Sequence, residues 1–144
     1  MSAARVLVGV VAQSIAKVED RVSLPQFRVL VMVATKGPSN LSAVAESLGV
    51  HPSNATRTVD RLVTAGLLDR RDAPTDRRQV SLTLTEQGKQ LVDSVFSERR
   101  AAVQQVVAKM PRSKRQKLPA ALECFAEAAG EIPEDDIGHL EWNN

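Results

Sequence analysis

The chain has 144 residues, enough for one domain with a proper core, and 19 Lys and Arg against 17 Asp and Glu leave a formal net charge of +2. So small an excess names no nucleic-acid partner by itself; only its distribution can. Three Phe, one Trp and no Tyr argue against an aromatic stacking platform for single strands, and one Cys with two His argues against a disulfide framework or a metal cluster.

The chain opens on "ARVLVGVVAQSIA". Ala4, Leu7, Val8, Val11, Ile15, Val18 and Val22 recur at helical spacing, and Val6 and Val10 widen the apolar face. That predicts a helix over 3–22 with more apolar surface than one neighbour covers. The same run has features of a weak signal peptide, but the helical period continues past it and the run is too short to span a membrane. A cytoplasmic protein is therefore expected.

A second helix begins at "SLPQ", with Ser23 as cap, Pro25 in the first turn and Gln26 at the capping-box position. Phe27, Leu30, Val31 and Ala34 are expected to face inward, and Gly37 with Pro38 to stop the helix. Asn40 caps a short third helix whose stripe is Leu41, Val44, Ala45 and Leu48, and Gly49 supplies the turn. Pro52 opens the fourth helix, where Ala55, Val59, Leu62 and Val63 point inward and Gly66 ends it. Two short helices joined by a tight glycine turn make a helix-turn-helix.

The segment Leu67–Arg71 predicts a strand, 72–78 a loop, and Gln79–Leu84 a second strand with Val80, Leu82 and Leu84 on one face. Thr85 then caps a long helix from Glu86 to about Met110, with Leu91, Val92, Val95, Phe96, Val103, Val106 and Val107 as its apolar positions. Pro111 ends it. Ser113 and Gln116 form a further capping-box pattern, opening a last helix through Ala129 with Leu118, Leu122, Phe125 and Ala129 on one face. Pro119 either bends that helix or marks its regular start. Ile132, Leu140 and Trp142 can anchor the acidic tail.

Removing the inward stripe from the fourth helix leaves Ser53, Asn54, Thr56, Arg57, Asp60, Arg61 and Thr64. Small hydroxyls, an amide and arginines in the first turns are groups that read base edges and phosphates in a major groove. On an isolated helix an ordinary solvated face is the favoured reading. Their neighbours shift that balance. Arg57 and Arg61 lie one turn apart, and Arg70, Arg71, Arg77 and Arg78 cluster on the hairpin that follows. Arginines at the tip suit a minor groove; those on the strand serve either phosphate contact or protection of the sheet edge.

"NLSAVAESLGVHPSNATRTVDRLVTAGLLDRRDAPTDRRQVSLTLTEQGKQL" resembles the winged helix-turn-helix of MarR-type transcriptional regulators, and "SLPQFRVLVMV" resembles their second helix. The resemblance is close from Ser23 to about Val92; the terminal helices agree only in layout. It implies a mainly α fold with a small two-stranded β-wing, in which residues 23–92 bind DNA. Residues 1–22 and 93–144 would carry a helical dimerisation region and the tail. It places Ser53, Asn54, Thr56 and Arg57 in the major groove, Arg61 near a phosphate, and the wing arginine on Arg78. Asp76 would orient Arg78, and Arg77 is a second wing contact.

The function so implied is that of a homodimeric repressor on double-stranded DNA. Its pseudo-palindromic half-sites would lie about 10 bp apart, and a small aromatic or phenolic effector would release it. No effector residue is identified. The chain departs from oxidant-sensing relatives, because Cys124 lies in the last helix and Tyr is absent; Cys124 is expected to be a small packed residue. His51 is expected to cap the fourth helix. Neither cofactor nor metal is expected, and no nucleophile–base arrangement, phosphate-binding glycine loop or paired carboxylate points to an enzyme. The competing reading is a winged-helix module that binds protein rather than DNA.

Overall fold

The computed structural model describes residues 2–72 and 80–130, and only the backbone at position 72. The elements run α1 (Ser2–Ala16), α2 (Leu24–Lys36), α3 (Leu41–Leu48), α4 (Pro52–Thr64), β1 (Leu68–Asp72), β2 (Val80–Leu84), α5 (Glu86–Ala108), α6 (Arg112–Arg115) and α7 (Leu118–Ala128). The chain divides into two compact units, Met1–Arg99 and Arg100–Asn144. The mainly α architecture with a small antiparallel sheet is the one expected.

In the first unit α2 is the centre of the core. Phe27, Val29, Leu30, Met32, Val33 and Ala34 are all buried, while Val31 is only half-buried. The expected inward positions Phe27, Leu30, Val31 and Ala34 all meet the core, and burial of Val29, Met32 and Val33 as well encloses α2 on most of its circumference. Val44 and Ala45 of α3 join the same core, as do Ala55, Val59 and Leu62 of α4. Val18, Val22, Leu67, Leu68, Leu82, Leu91, Val92 and Val95 complete it.

The helix ends follow elementary capping. The Ser23 N–H donates to Gln26 Oε1 at 2.7 Å, and the Ala43 N–H donates to Asn40 Oδ1 at 2.8 Å. Gly49 adopts φ 66°, a left-handed conformation that lets its N–H return to the carbonyls of Ala45 and Glu46. That turn sets α4 against α3.

β1 and β2 pair antiparallel, with Leu68 opposite Leu84, Arg70 opposite Leu82 and Asp72 opposite Val80. Leu82 is fully buried and Val80 and Leu84 pack against the core, as the alternation requires. Ser39 adds a single bridge on the far side of β2, exchanging backbone bonds with Leu82 at 3.1 and 2.7 Å. One residue is too short to show alternation, so no sequence pattern marks this third piece.

The start of α5 is fixed by two bonds from one side chain. Thr85 Oγ1 accepts from the Gly88 N–H at 3.0 Å and donates to the Gly66 carbonyl at 2.6 Å. The expected cap therefore also ties α5 to the chain leaving α4.

Three further expectations are corrected. α1 ends at Ala16, not Val22. The Val18 carbonyl accepts from both Arg21 and Val22 N–H, each at 2.9 Å, closing turns in place of a regular ladder. Val18 and Val22 still reach the core, so the apolar period outlasts the helix. Ser113 does not cap: Pro111 stands at the N-cap of the short α6, and Gln116 at its C-cap. Pro119 lies in the first turn of α7 and marks its start. Cys124 is exposed in this chain rather than packed, because the whole of α7 presents no buried residue. The tail residues Ile132, Leu140 and Trp142 lie outside the described residues.

Candidate nucleic-acid interface

α4 is oriented by its apolar stripe. Ala55, Val59 and Leu62 are fully buried and Val63 half-buried, leaving the opposite face outward. That face carries Ser53, Asn54, Arg57 and Arg61, all exposed, and Thr56, half-buried. Arg57 and Arg61 are one turn apart and project the same way. Among the described residues, neither meets a carboxylate within ion-pair distance.

The N-terminus of α4 is built by His51 and Pro52. His51 occupies the cap with extended backbone, and its Nδ1 accepts from the Ser53 N–H at 3.4 Å. The same nitrogen lies 3.0 Å from Ser53 Oγ. Pro52 fills the first helical position, where no N–H is needed. Further along, Thr56 Oγ1 donates to the Pro52 carbonyl at 3.0 Å, and Thr58 Oγ1 to that of Asn54 at 2.9 Å.

The strand arginines differ from those on α4. Arg70 Nη1 lies 3.2 Å from Asp60 Oδ1, and Arg71 grips Asp69 Oδ2 through Nε at 2.9 Å and Nη2 at 2.7 Å. Both positive charges are offset by carboxylates of the same chain. Edge protection and phosphate contact were the readings for these arginines from sequence; the structure adds intramolecular pairing. Asp76, Arg77 and Arg78, expected at the wing tip, lie outside the described residues.

One polar cluster went unforeseen. Ser14 is a buried polar residue of α1; its Oγ donates to the Val11 carbonyl at 2.8 Å and accepts from Arg99 Nε at 2.7 Å. The Arg99 guanidinium also stands over Phe96 and Phe27, 5.6 and 5.9 Å from the ring centroids. Burial pulls its pKa below the ordinary arginine value. A serine among valines and an arginine 85 positions on carry no shared local pattern. Among the described residues no group of His, Cys, Asp or Glu could hold a metal ion, and no helix is long and apolar enough to cross a membrane.

A glycine-turned helix pair followed directly by a hairpin, with a polar, arginine-bearing second helix, defines a winged helix-turn-helix transcriptional regulator. Residues 22–80 match the model of the MarR family. The HTH-type transcriptional regulator YhbI of Bacillus subtilis is 34% identical over 112 residues, 77% of this chain and 68% of that protein. The HTH-type transcriptional regulator Mb0904 of Mycobacterium bovis is 31% identical over 112 residues, 78% of each chain. The crystal structure of RV1404 from Mycobacterium tuberculosis is 44% identical, covering 91% of this chain and 89% of that one with a TM-score of 0.79. The chain belongs to the MarR family of transcriptional regulators. The fold is shared with S. aureus MepR, solved bound to an oligodeoxyribonucleotide, at 15% identity and a TM-score of 0.68 over 89% of this chain and 93% of that one.

Proposed function

We propose that the protein is a homodimeric repressor that binds a pseudo-palindromic operator in double-stranded DNA and is released by a small aromatic or phenolic ligand. The observation that carries the DNA-binding part is the outward face of α4: small polar groups and two arginines that no described carboxylate neutralises, on a helix locked from behind by Ala55, Val59 and Leu62. In this reading Ser53, Asn54, Thr56 and Arg57 enter the major groove and Arg61 meets a phosphate. Arg77 and Arg78 engage the backbone or minor groove, with Asp76 orienting Arg78. That the fold-sharing MepR was solved bound to an oligodeoxyribonucleotide supports DNA as the partner.

Pairing of two copies is supported by apolar side chains left open in each unit. Val6, Leu7, Val8 and Val11 are exposed on α1, and Leu122 and Phe125 on α7. In this reading residues 1–22 and the helices within 93–144 pair the two copies, the acidic tail follows them, and residues 23–92 bind DNA. The protein acts in the cytoplasm and catalyses no reaction. The competing protein-binding module is disfavoured by the polar outward face of α4, because the centre of a protein-binding patch is depleted of charge.

The test is footprinting and titration of the purified protein on the DNA upstream of its own gene. A symmetric protected site, with affinity falling steeply as salt rises, is expected. Arg78→Ala in a folded dimer should cost about 1–3 kcal/mol of DNA affinity. Salt-insensitive, negligible binding to every duplex would favour the protein-binding module instead.

A further inference from the structure

Two hydroxyls in the first turns of α4, those of Ser53 and Thr56, are engaged within the protein, and that limits what they can read. A hydroxyl has one proton to donate and two lone pairs to accept with. Thr56 Oγ1 donates its proton to the Pro52 carbonyl at 3.0 Å, an acceptor that cannot reverse roles. Ser53 Oγ lies 3.0 Å from His51 Nδ1. The Ser53 backbone N–H also points at Nδ1, at 3.4 Å. In the tautomer with its proton on Nε2, Nδ1 accepts and Ser53 Oγ is the donor in its bond with the ring. Both hydroxyls then present lone pairs.

We propose that Ser53 and Thr56 act as obligate hydrogen-bond acceptors in the major groove and so select base pairs by an exocyclic amino group: N6 of adenine or N4 of cytosine. Those two groups are the donors that the major-groove edges display. His51 is the positioning residue: it touches no base, and it sets the polarity of Ser53. Arg57, which only donates, supplies the complementary requirement for an acceptor such as guanine O6 or N7 one residue beyond Thr56. The inference rests on the DNA-reading role of α4 proposed above.

The experiment uses the full-length protein and a pool of randomised duplexes. Wild type, Ser53→Ala and Thr56→Val are selected in parallel, and the position at which each variant loses preference identifies the base pair that side chain reads. At that pair the amino group is then deleted, with purine replacing adenine or 2-pyrimidinone replacing cytosine. Deletion is expected to weaken wild-type binding about 5- to 10-fold, the worth of one hydrogen bond, and to leave the matching variant unaffected. Replacing purine N7 by carbon at the same pair is expected to change nothing. His51→Ala frees the Ser53 proton, so dependence on the amino group should fall at the Ser53 pair and persist at the Thr56 pair. Loss of binding on removal of N7 rather than of the amino group would overturn the proposal. So would Ser53→Ala and Thr56→Val variants that keep every preference, and an unchanged amino dependence in His51→Ala would remove the role of His51. Tight, salt-sensitive binding without any base preference would overturn this inference alone; no binding to any duplex would overturn the DNA-reading role as well.

Discussion

Arg70 Nη1 stands 3.2 Å from Asp60 Oδ1, so a carboxylate on the outward side of α4 holds the first strand of the wing. Register puts Arg70 opposite Leu82, on the sheet face that Leu68 and Leu82 turn toward the core. The pair therefore closes the solvent end of the seam between α4 and the sheet. Both side chains are more than a third exposed, at 38% and 55%, which limits the bond to well under about 1 kcal/mol. A double-mutant cycle of Asp60→Ala and Arg70→Ala should return a coupling of about 0.5 kcal/mol that fades near 1 M salt. The pairing also bears on DNA. Arg70→Ala should leave the salt slope of binding almost unchanged, whereas Arg61→Ala should lower it by about one. Equal losses of slope would mean that Arg70 leaves Asp60 to meet a phosphate.

Gly88 has no room for a side chain. A Cβ there would lie 2.0 Å from the Leu67 carbonyl oxygen and 3.2 Å from Leu84 Cδ2, and the first of these is backbone that cannot rotate away. Gly88→Ala should therefore destabilise the protein by about 3 kcal/mol or more, because α5 must back off from the start of the wing. Thr85→Ala should cost about 1–2 kcal/mol through the lost cap and the lost bond to Gly66. Urea unfolding of the two variants checks both figures; a Gly88→Ala protein as stable as wild type would mean that α5 does not sit against Leu67.

This junction shows what the sequence can and cannot reveal. Thr85 as a cap was readable because a hydroxyl followed three residues later by an unpaired helix N–H is a local pattern. Asn40, Pro52 and Gly49 were readable for the same kind of reason, and with the inward stripe of α4 they define the helix-turn-helix. The second partner of Thr85, Gly66, is 19 positions away and leaves no local trace. The candidate site divides likewise. Exposure of Ser53, Asn54, Arg57 and Arg61 follows from period alone, but pairing of Asp60 with Arg70 depends on how the strand returns past the helix. The turn after Ala16 stayed hidden because Val18 and Val22 keep a four-residue spacing in either conformation.

Asp93 makes stability pH-dependent in a direction opposite to that of most carboxylates. Its pKa is raised above the ordinary 3.8, first by desolvation and further by the Glu86 charge, with Lys89 acting against both. A raised folded-state value means that the folded protein binds the proton more tightly than the unfolded chain. The favourable contribution is then complete below 3.8 and is lost as pH climbs through the raised value. Asp93→Asn should accordingly increase Tm at pH 7, and the difference should shrink in acid. Thermal melts across pH 3 to 7 decide it, and a variant less stable than wild type at pH 7 would reverse the assigned sign.

Ser14 and Arg99 form the polar anchor of α1, alongside the exposed ion pair of Lys17 with Glu98 at 2.9 Å. The rest of α1 shows Val6, Leu7, Val8 and Val11 to solvent, so this anchor fixes the C-terminal half of the helix against α5. Ser14→Ala removes the acceptor while leaving a partly desolvated guanidinium whose Nε–H has lost its bond. That should cost about 1.5–3 kcal/mol, the range for a hydrogen bond to a charged group. Arg99→Leu removes the stranded donor and keeps an apolar contact for Phe27 and Phe96, so in the Ser14→Ala background it should cost less than it does alone. The cycle is read by chemical denaturation, with hydrogen exchange in α1 as a second measure. Strictly additive losses, with unaltered protection of α1, would show that the Ser14–Arg99 bond does not hold the helix in place.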